Sequence, residues 1–461
     1  MMQLAQVSQA VNGQFIGSDV ALSGVTTDTR RRCDGKLFVA LKGDRFDAHD
    51  FVADAQHAGA SAALVERDID IDIPKILVND THQALKELSA WWRAQFVIPL
   101  IGITGSVGKT TVKEMLGSIF SEIGKGIVTK GNLNNEIGMP LTLLRLKTDD
   151  QYAIVEMGMN HAGEISRLTN IAKPTIALVN NAAAAHLEGL GTVEAVAKAK
   201  GEIFEGLTLD GVAIINEDDD YSNLWRNLIS EQQIVTFGLS QAADITADYR
   251  LSQGGISMQV QTPEETFEVQ LSILGKHNVL NALAAIATAQ AADIPVKQIC
   301  AGLSKYRPIG GRQNVSVMNG VTLIDDTYNA NPASMQAAIE VLAGFENSIL
   351  IVGDMGELGD ETIKSHIDVG KFAKTNGINQ VFACGEYAEL VVQGYQQAAE
   401  SFKNQDGLLD CLSAELLATI KKPNSAILVK GSRSARMEKV VTHIQNILEP
   451  EKAVVASRGN L

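Results

Sequence analysis

The sequence predicts an α/β protein with three domains. Three observations support this prediction: a length of 461 residues, two long stretches in which apolar runs alternate with helical patterns, and a Pro- and Gly-containing segment between them. At about 100–200 residues per domain, the length allows two to four domains. Hydrophobic residues make up 45% and charged residues 20% of the chain, a balance that is typical of globular proteins and not of disordered ones.

The first predicted domain, residues 1–85, is small. Short apolar runs at 37–41, 62–65 and 75–78 have the length and composition of strands. Residues 82–96 have helical spacing, and we expect this helix to lead into the next domain. The mixture predicts a small α/β unit.

The second predicted domain, residues 86–312, has the pattern of a doubly wound, mostly parallel sheet. Apolar runs of the kind that buried parallel strands show alternate with helical patterns, notably at 109–123 and 192–206. Between 244 and 274 apolar and polar residues alternate instead, which predicts an antiparallel patch attached to the same domain. The apolar runs are VIPLIGIT, YAIVEM, TIALVN, VAIIN and IVTFG.

The third predicted domain, residues 313–461, repeats the alternation. The run VTLIDD, a helical pattern near 332–343, the run SILIVGD and a helical pattern near 361–375 follow one another, and SAILVKG with a closing helix ends the series. The segment RPIGGRQ at 307–313 is the predicted linker, because Pro and the Gly pair interrupt regular structure. The sequence therefore predicts a second α/β sheet in this domain.

Composition also limits the compartment in which we expect the protein and the partners that we expect it to bind. Thirty-nine Lys and Arg residues against 54 Asp and Glu give a net charge of −15, which argues against nonspecific binding to nucleic acid or to an anionic membrane. The four cysteines are scattered and form no C-x-x-C pair, so we expect no disulfide framework or zinc site and a reduced, cytoplasmic setting. The N-terminus has no signal-peptide pattern, and no apolar run approaches the roughly 20 residues of a membrane span.

The segment GITGSVGKTT at 102–111 carries the strongest functional signal. It follows a strand-like run and opens a helical one, so successive backbone N–H groups and the helix N-terminus would form an anion site. Lys109 can then reach terminal phosphates, and the Thr110 hydroxyl can bind Mg²⁺. The strict pattern G-x-x-x-x-G-K-[ST] needs Gly at the position of Ile103, so this is a variant P-loop. The alternative is a glycine-rich turn with a surface lysine.

Polar residues at the ends of later strands extend this site. Glu156 ends an apolar run, where the carboxyl ends of parallel strands line a ligand crevice, and a carboxylate there is the expected second protein ligand for Mg²⁺. The alternative is an acid exposed to solvent. His186 and Lys200 follow the run TIALVN, but a lone histidine or lysine is usually structural or solvated. The asparagine-rich strings at 129–140 and 274–281 suit amides, ribose and phosphate oxygens, but they also suit turns and helix caps, which composition alone favours.

Taken in order, these strings resemble the Mur ligase family of peptidoglycan synthesis. The resemblance spans most of the chain and includes TDTR at 27–30 and LKGDRFDAHDF at 41–51. Each string is moderately specific, and the ordered set is very specific. The further matching strings are TGSVGKTT, GNLNNEIGMP, EMGMNHAGEI, GKHNVLNA, GGR, DDTYNANP and VKGSRS.

Within the family, the forms YNANP, GDMGEL and KGSRS are most similar to those of the ligases that add D-alanyl-D-alanine to UDP-N-acetylmuramoyl-tripeptide. The resemblance implies that ATP phosphorylates the tripeptide carboxylate, that the amine of D-Ala-D-Ala attacks the acyl phosphate, and that UDP-MurNAc-pentapeptide, ADP and phosphate are formed. It implies an N-terminal UDP-substrate-binding domain, a central ATP-binding domain and a C-terminal Rossmann-like domain. We expect a monomer, and whether the third peptide residue is diaminopimelate or lysine stays open.

The resemblance also assigns site residues. It implies two Mg²⁺ sites, the first held by Thr110 and Glu156 and the second by His186 and a carbamylated Lys200. It implies that Lys109, His186 and Lys200 are catalytic. The residues implied to bind ATP are Gly105, Ser106, Gly108, Lys109, Thr110, Thr111, Asn278, Asn281, Arg312 and Asp326. Those implied to bind the UDP-sugar substrate are Thr29, Arg30, Asp44, His49, Asn134 and Asn135.

Two other classes of protein fit parts of the pattern. A sister amide ligase, such as a folylpolyglutamate synthase or the Mur ligase that adds the third peptide residue, shares the central domain. A nucleotide-binding regulatory module would bind ATP but release no phosphate. The Mg²⁺ and third-domain strings favour an enzyme over such a module.

Overall fold

The computed structural model describes residues 2–412, 417 and 421–449, within which three main β-sheets follow one another along the chain. Parallel strand pairs dominate in each sheet, and helices cover the faces. The predicted α/β fold class is therefore confirmed. The domain boundaries after residues 85 and 312 stay predictions, and the helix Thr81–Arg93 runs through the first of them. Residues 450–461 of the predicted third domain lie outside the described part.

The first sheet has five short strands. One edge strand, Gln14–Ile16, pairs antiparallel with its neighbour, and the other pairs are parallel. In spatial order the strands are Gln14–Ile16, Lys75–Leu77, Ala62–Val65, Lys36–Val39 and Gly24–Thr26. Two small ribbons accompany the sheet, formed by Met2–Gln3 with Ala21–Leu22 and by Lys42–Gly43 with Phe46–Asp47. The helices of this part are Leu4–Ala10, the 3₁₀ helix Ala48–Phe51, Val52–His57 and Thr81–Arg93.

The second sheet is parallel throughout and places the P-loop. Every residue of the strand Leu100–Thr104 is buried, which fits an apolar run between two helical layers. Its neighbours are Ala153–Glu156 on one side and Ile176–Val179 on the other, so the strand order reverses at this point and a crevice opens at the carboxyl ends. In spatial order the strands are Ile127–Val128, Ala153–Glu156, Leu100–Thr104, Ile176–Val179, Val212–Asn216 and Gln233–Phe237.

Helices and an antiparallel sheet cover the second sheet. The predicted antiparallel patch is confirmed as a three-stranded sheet, Thr246–Ser252, Gly255–Gln261 and Thr266–Leu271. Its inward residues pack in one hydrophobic cluster with the helix Lys276–Gln290. The helices of this part are Lys109–Phe120, Gly138–Leu143, Glu164–Ala172, Leu187–Leu190, Val193–Gly201, the 3₁₀ helix Glu202–Gly206, Ser222–Arg226, Lys276–Gln290 and Val296–Lys305.

The third sheet has six strands, and the edge strand Asn314–Met318 pairs antiparallel with its neighbour. That strand was not predicted, because Val317 is 70% exposed and the run has no buried face of its own. In spatial order the strands are Asn314–Met318, Val321–Asp326, Ser425–Lys430, Asn347–Gly353, Gln380–Cys384 and Ala399–Phe402. The helices are Pro332–Leu342, the 3₁₀ helix Gly359–Glu361, Thr362–Thr375, Ala388–Tyr395, Gln405–Cys411, the 3₁₀ helix Arg433–Ala435 and Glu438–Leu448.

Hydrophobic clusters join the layers. One cluster unites the first sheet with one face of the second through the helix Thr81–Arg93, and another fills the opposite face of the second sheet. Two more clusters cover the two faces of the third sheet. Across the described ranges, no helix combines the length and the hydropathy that a membrane span needs.

Candidate active site

A cavity of about 1430 Å³ lies at the carboxyl ends of the second sheet and takes its walls from all three parts of the chain. The first part contributes His82, and the second contributes the P-loop with the strand ends that flank it. Further wall residues belong to the segments 131–137 and 273–281 of the second part and to the segments 311–313, 326–337, 356–358 and 430–434. Of the residues that the sequence assigned to the site, those on the cavity wall are Ser106, Gly108, Lys109, Thr110, Thr111, Asn134, Asn135, Glu156, His186, Asn278, Asn281, Arg312 and Asp326.

The P-loop bends tightly where the strand Leu100–Thr104 gives way to the helix Lys109–Phe120. Gly108 has a φ of +80°, and a Cβ atom there would lie 2.3 Å from Oδ1 of Asn281 and 2.6 Å from Nδ2 of Asn180. Only glycine fits this position without moving its neighbours. Asn181 holds the loop from the other side, because its Oδ1 accepts from Val107 N at 2.9 Å. The loop conformation therefore depends on asparagines that follow the strand Ile176–Val179.

Lys109 begins the P-loop helix and folds back over the loop. Its Nζ donates to the carbonyl oxygens of Gly105 and Ser106. Burial lowers the pKa of the Lys109 ammonium, while the carboxylates of Glu156 and Glu357 act in the opposite direction. Because it carries a positive charge among buried N–H groups, the loop is suited to bind an anion.

Thr110 and Glu156 form a buried polar pair beside the loop. The Thr110 hydroxyl donates to Glu156 Oε2 at 2.9 Å, and Asn134 Nδ2 donates to Glu156 Oε1 at 2.8 Å. Thr110 is 8% exposed and Glu156 is 3% exposed. A buried carboxylate with a hydroxyl neighbour offers the oxygen donors that Mg²⁺ prefers. Asn135 turns away, since its Oδ1 accepts from Gly138 N and caps the following helix.

This donor set fits a metal that is shared with a phosphate ligand. Within residues 2–412, 417 and 421–449, no three His, Cys, Asp or Glu side chains gather into a metal-binding group. Mg²⁺ commonly uses one or two carboxylates and completes its shell with water and substrate phosphates. Thr110 and Glu156 match that mode of binding. They are too few to form a closed site made of protein ligands alone.

Lys200 and His186 lie in different surroundings. Lys200 is 1% exposed on the helix Val193–Gly201, and burial followed by repulsion from Lys109 lowers the pKa of its ammonium well below the usual value. Its Nζ makes no hydrogen bond or ion pair among the described residues, and it does not form part of the cavity wall. His186 has a φ of +56°, and its Nδ1 lies 2.9 Å from Oε2 of Glu357.

Glu357 is a cavity residue that sequence reasoning missed. The contact with His186 lowers the pKa of its carboxyl, and the charge of Lys109 acts in the same direction. Glu357 itself has a φ of +61°, so both partners of this contact adopt the left-handed conformation that non-glycine residues rarely show. The string GDMGEL, which contains Glu357, is informative only through its resemblance, and no spacing in the sequence predicts the contact with His186.

A chain of buried amides connects the P-loop to the linker. Asn281 Oδ1 accepts from Asn180 Nδ2 at 3.0 Å, and Asn281 Nδ2 donates to Asn278 Oδ1 at 2.9 Å. Asn278 Nδ2 in turn donates to Gln313 Oε1 at 2.8 Å. These bonds occupy side-chain amide groups of Asn278 and Asn281, which the resemblance assigns to ATP binding. His277 Nε2 lies 3.0 Å from Gln313 Nε2, so the ring nitrogen is the acceptor.

Arg312 and Asp326 lie where the linker meets the third sheet. The Arg312 guanidinium stacks on the ring of Tyr328, 3.9 Å from its centroid. Asp326 pairs with Lys430 at 2.6 Å and also accepts from Gln313 N at 3.2 Å. Lys430 is buried and the Asp326 side chain is 14% exposed, so this ion pair on the cavity wall is largely shielded from solvent. Tyr328 and Lys430 were not assigned to the site from the sequence.

The residues assigned to the UDP-sugar in the first part lie outside the cavity wall. Arg30 is exposed and pairs with Asp28, and Asp44 is exposed in the turn of the ribbon Lys42–Gly43 with Phe46–Asp47. Thr29 is half-buried in the neighbouring turn. His49 is 3% exposed: its Nδ1 lies 2.6 Å from Asp47 Oδ1 and its Nε2 accepts from a backbone N–H.

Comparisons with known proteins identify the same family in all three parts of the chain. Sequence models described as "Mur ligase family, catalytic domain", "Mur ligase middle domain" and "Mur ligase, glutamate ligase domain" match residues 21–94, 103–289 and 311–433. The UDP-N-acetylmuramoyl-tripeptide–D-alanyl-D-alanine ligase of Escherichia coli K12 is 44% identical over 446 residues, which are 96% of this chain and 98% of that protein.

Solved structures give the same result. A crystal structure of MurF from Acinetobacter baumannii superposes with a TM-score of 0.90 at 37% identity, over 96% of this chain and 98% of that one. The MurF ligase of Thermotoga maritima in complex with ADP superposes with a TM-score of 0.83 at 28% identity, over 94% of this chain and 100% of that one. The chain therefore belongs to the Mur ligase family.

Proposed function

We propose that this chain is an ATP-dependent amide ligase that adds D-alanyl-D-alanine to UDP-N-acetylmuramoyl-tripeptide. The observation that carries the proposal is the match over 96% of the chain to the Escherichia coli ligase of that name. The products are UDP-MurNAc-pentapeptide, ADP and phosphate, which makes the reaction a step of peptidoglycan synthesis. The P-loop cavity supplies a place for the nucleotide, and its three-part wall lets a second and a third substrate meet it.

The nucleotide phosphates lie in the loop formed by Gly105, Ser106, Gly108, Lys109 and Thr111. The positive φ of Gly108 and the donor-rich loop support this assignment. The ADP complex of the Thermotoga maritima relative supports nucleotide binding by this fold. Arg312 and Asp326 approach the nucleotide from the linker and the third sheet. Asn278 and Asn281 bind it from the helix Lys276–Gln290, and their place on the cavity wall supports this assignment.

Thr110 and Glu156 hold a Mg²⁺ ion. Their 2.9 Å contact and their burial support this role. When bound, the ion neutralises phosphate charge during phosphoryl transfer. Lys109 adds a fixed positive charge on the same side of the cavity, so the protein contributes positioning and electrostatics rather than a covalent step.

Lys200 carries a carbamate that, together with His186, binds a second Mg²⁺ ion. Burial and the charge of Lys109 both favour the neutral amine, which is the form that reacts with CO₂. The amine forms an N–C bond to CO₂ and releases a proton, and the carbamate oxygens suit a hard cation. A protonated lysine has no acceptor, and a neutral amine offers one nitrogen where the carbamate offers the oxygens that Mg²⁺ prefers.

The substrates meet beside the P-loop. Phosphate transferred from ATP to the tripeptide carboxylate gives an acyl phosphate, the amine of D-Ala-D-Ala attacks its carbonyl carbon, and phosphate leaves. Asn134 and Asn135 lie near the reacting carboxylate. The bond from Asn134 Nδ2 to Glu156 Oε1 and the place of both asparagines on the cavity wall support this assignment. Thr29, Arg30, Asp44 and His49 contact the UDP-sugar. The contact of His49 with Asp47 joins it to the ribbon whose turn contains Asp44, which supports a shared site for these two residues.

We also propose that the ligase acts as a monomer in the cytoplasm. The four cysteines are all free, which supports a reducing compartment. Light scattering after size-exclusion chromatography tests the oligomeric state, and a stable dimer would overturn that part of the proposal.

An assay of phosphate and ADP release tests the function. The purified chain is given ATP and Mg²⁺ with one acid substrate: UDP-MurNAc-tripeptide with either third residue, UDP-MurNAc-dipeptide or a folate. The amine substrate is D-Ala-D-Ala, meso-diaminopimelate, lysine or glutamate. We expect phosphate and ADP to be released from UDP-MurNAc-tripeptide only when D-Ala-D-Ala is the amine substrate. We expect no release by the variant Lys109→Ala. Release with UDP-MurNAc-dipeptide and a single amino acid would indicate the sister ligase, and release with a folate and glutamate would indicate a folylpolyglutamate synthase.

A further inference from the structure

Lys113 is a fully buried lysine that the proposed reaction does not use. It lies just beyond the P-loop pattern, which ends at Thr110, and it is 1% exposed on the P-loop helix. Spacing of three residues places it on the same helix face as Thr110. A lysine at such a position has no role in the phosphate-binding pattern, so its burial needs a separate explanation.

Three contacts surround its ammonium group. Nζ donates to the carbonyl oxygen of Thr129 at 2.9 Å, lies 2.9 Å from Oε1 of Glu114, and lies 3.9 Å from Oε2 of Glu156. The same Oε2 atom accepts the hydrogen bond from Thr110. Lys113 therefore stands behind the carboxylate oxygen that faces the proposed metal site.

Thr129 extends this arrangement to the asparagine-rich loop. Its Oγ1 accepts from the backbone N–H of Glu156 at 2.9 Å, and its own side chain is buried. Five residues later in the chain, Asn134 donates to the other carboxylate oxygen of Glu156. Lys113 thus ties the start of the loop 129–135 to the P-loop helix, while Glu156 is held from the strand, from the helix and from the loop.

Stability alone is a weak explanation for this buried cation. Apolar residues of similar volume often replace a buried ion pair without loss of stability. The contacts of Lys113 are instead those of an outer partner that orients a metal ligand and the loop beside it. Its ammonium group also lies 3.9 Å from the Glu156 oxygen that accepts from Thr110, on a carboxylate whose other oxygen accepts from Asn134.

We propose that Lys113 is a positioning residue that sets Glu156 and the loop 129–135 so that the metal–nucleotide site and the substrate loop form together. This inference rests on the proposed function, specifically on Mg²⁺ at Thr110 and Glu156. It assigns Lys113 no contact with substrate or nucleotide. The residue acts through Glu156 and Thr129.

Calorimetry of ADP binding with and without Mg²⁺ tests the inference. We expect Lys113→Met to weaken ADP binding in Mg²⁺ about 10- to 100-fold, the usual cost of losing an outer partner of a metal ligand, while metal-free ADP binding stays within about twofold of wild type. The control Glu114→Gln removes the neighbouring carboxylate and leaves both other contacts, so we expect it to keep the wild-type response to Mg²⁺.

A charge-balanced variant covers the case in which Lys113→Met does not fold. Lys113→Met combined with Glu114→Gln removes both charges of the closest pair, and we expect the same loss of the Mg²⁺ response. A lower melting temperature with a wild-type Mg²⁺ response, or an equal loss in Glu114→Gln alone, would overturn the inference. If wild-type protein binds ADP equally with and without Mg²⁺, the proposed metal site fails, and this inference fails with it.

Discussion

The hydroxyl of Thr110 donates a 2.9 Å hydrogen bond to Oε2 of Glu156. The bond joins the first turn of the P-loop helix to the carboxyl end of the adjacent strand Ala153–Glu156, and both side chains are buried. Hydrogen bonds are electrostatically stronger in such surroundings than in water. The two oxygen donors are therefore held together before any ligand arrives, which reduces the ordering that a metal–nucleotide complex would require.

Thr110→Val should separate the metal role of this pair from its structural role. Valine keeps the shape but leaves Glu156 Oε2 without the Thr110 donor, so we expect the free energy of unfolding to fall by about 1–3 kcal/mol. We expect turnover to fall by about 100-fold or more. Thr288→Val is the matched control, because its buried hydroxyl donates to Ala284 O at 2.7 Å outside the cavity. Wild-type turnover in Thr110→Val would contradict the metal assignment.

Gly108→Ala should damage the P-loop through a clash as well as through backbone strain. The φ of +80° alone costs about 1–2 kcal/mol for a residue with a Cβ atom. The Cβ atom would in addition lie 2.3 Å from Asn281 Oδ1. We expect a lower melting temperature and loss of ADP binding, measured by thermal unfolding and calorimetry.

Gly320→Ala is the control for the Gly108 variant. Gly320 has a φ of +82° but nothing lies within 4 Å of a Cβ atom placed there, so it reports the backbone strain alone. We expect Gly320→Ala to lose less stability and to bind ADP as wild type does. Equal losses of stability in the two variants, with ADP binding intact in both, would show that the amides of Asn180 and Asn281 do not constrain the loop.

Local pattern and strand order predicted the centre of the site. The P-loop string gave Lys109 and Thr110, and the rule that parallel strand ends share one edge gave Glu156. The hydrogen bond between Thr110 and Glu156 agrees with that reasoning. Helix positions followed in the same way: the predicted helix 109–123 is Lys109–Phe120, and the pattern at 192–206 is an α-helix that ends at Gly201 and continues as a 3₁₀ helix.

The residues that sequence reasoning missed depend on contacts between distant segments. Lys113 is buried because two residues from later in the chain approach it: Thr129, which follows the strand Ile127–Val128, and Glu156, which ends the strand Ala153–Glu156. Glu357 reaches His186 from the third part of the chain. His49 shows a further contact that the sequence does not indicate: both of its ring nitrogens are engaged inside the first part, and its assignment to the substrate, which the resemblance implies, stays a prediction. No local periodicity carries this information.

His277 should make stability depend on pH. Burial is the main reason that its pKa falls from 6.5 to about 4. Between these two pH values the unfolded chain therefore binds a proton at this residue and the folded chain does not. The contribution of neutral His277 to the free energy of unfolding is complete above pH 6.5. It is lost as the pH falls toward about 4, by about 3 kcal/mol in all. Urea unfolding of wild type and His277→Gln should show a shallower decline in the variant over this range.

The comparison between pH 7 and 8 serves as the control for His277. Histidine is neutral in both the folded and the unfolded chain there, so the two stability curves should run parallel. Glutamine can still accept from the amides of Asn278 and Gln313, which limits the direct cost of the substitution. An equally steep decline below pH 6.5 in wild type and variant would contradict the assignment.

Lys200→Ala should leave the enzyme nearly inactive, and Lys198→Ala should not. Lys200 is 1% exposed and its pKa is strongly lowered by burial, whereas the Lys198 side chain is 63% exposed and pairs with Glu194 at 2.7 Å. The two residues lie on one helix two positions apart, so the control differs in surroundings and not in chemistry. Loss of a carbamate that serves a metal should cost about 100-fold or more in turnover.

Acetate and isotope labelling distinguish the carbamate from a structural role of Lys200. A small carboxylate can occupy the space that the carbamate leaves in Lys200→Ala and offers the same oxygen donors to a hard cation. We therefore expect partial recovery of turnover with acetate, which a variant that had merely lost packing would not show.

Protein equilibrated with ¹³C-bicarbonate should give a carbamate NMR signal in wild type and in Lys198→Ala. That signal should be absent in Lys200→Ala, because the amine that forms the N–C bond has been removed. Full activity in Lys200→Ala, or the same signal in all three proteins, would refute the modification at this residue.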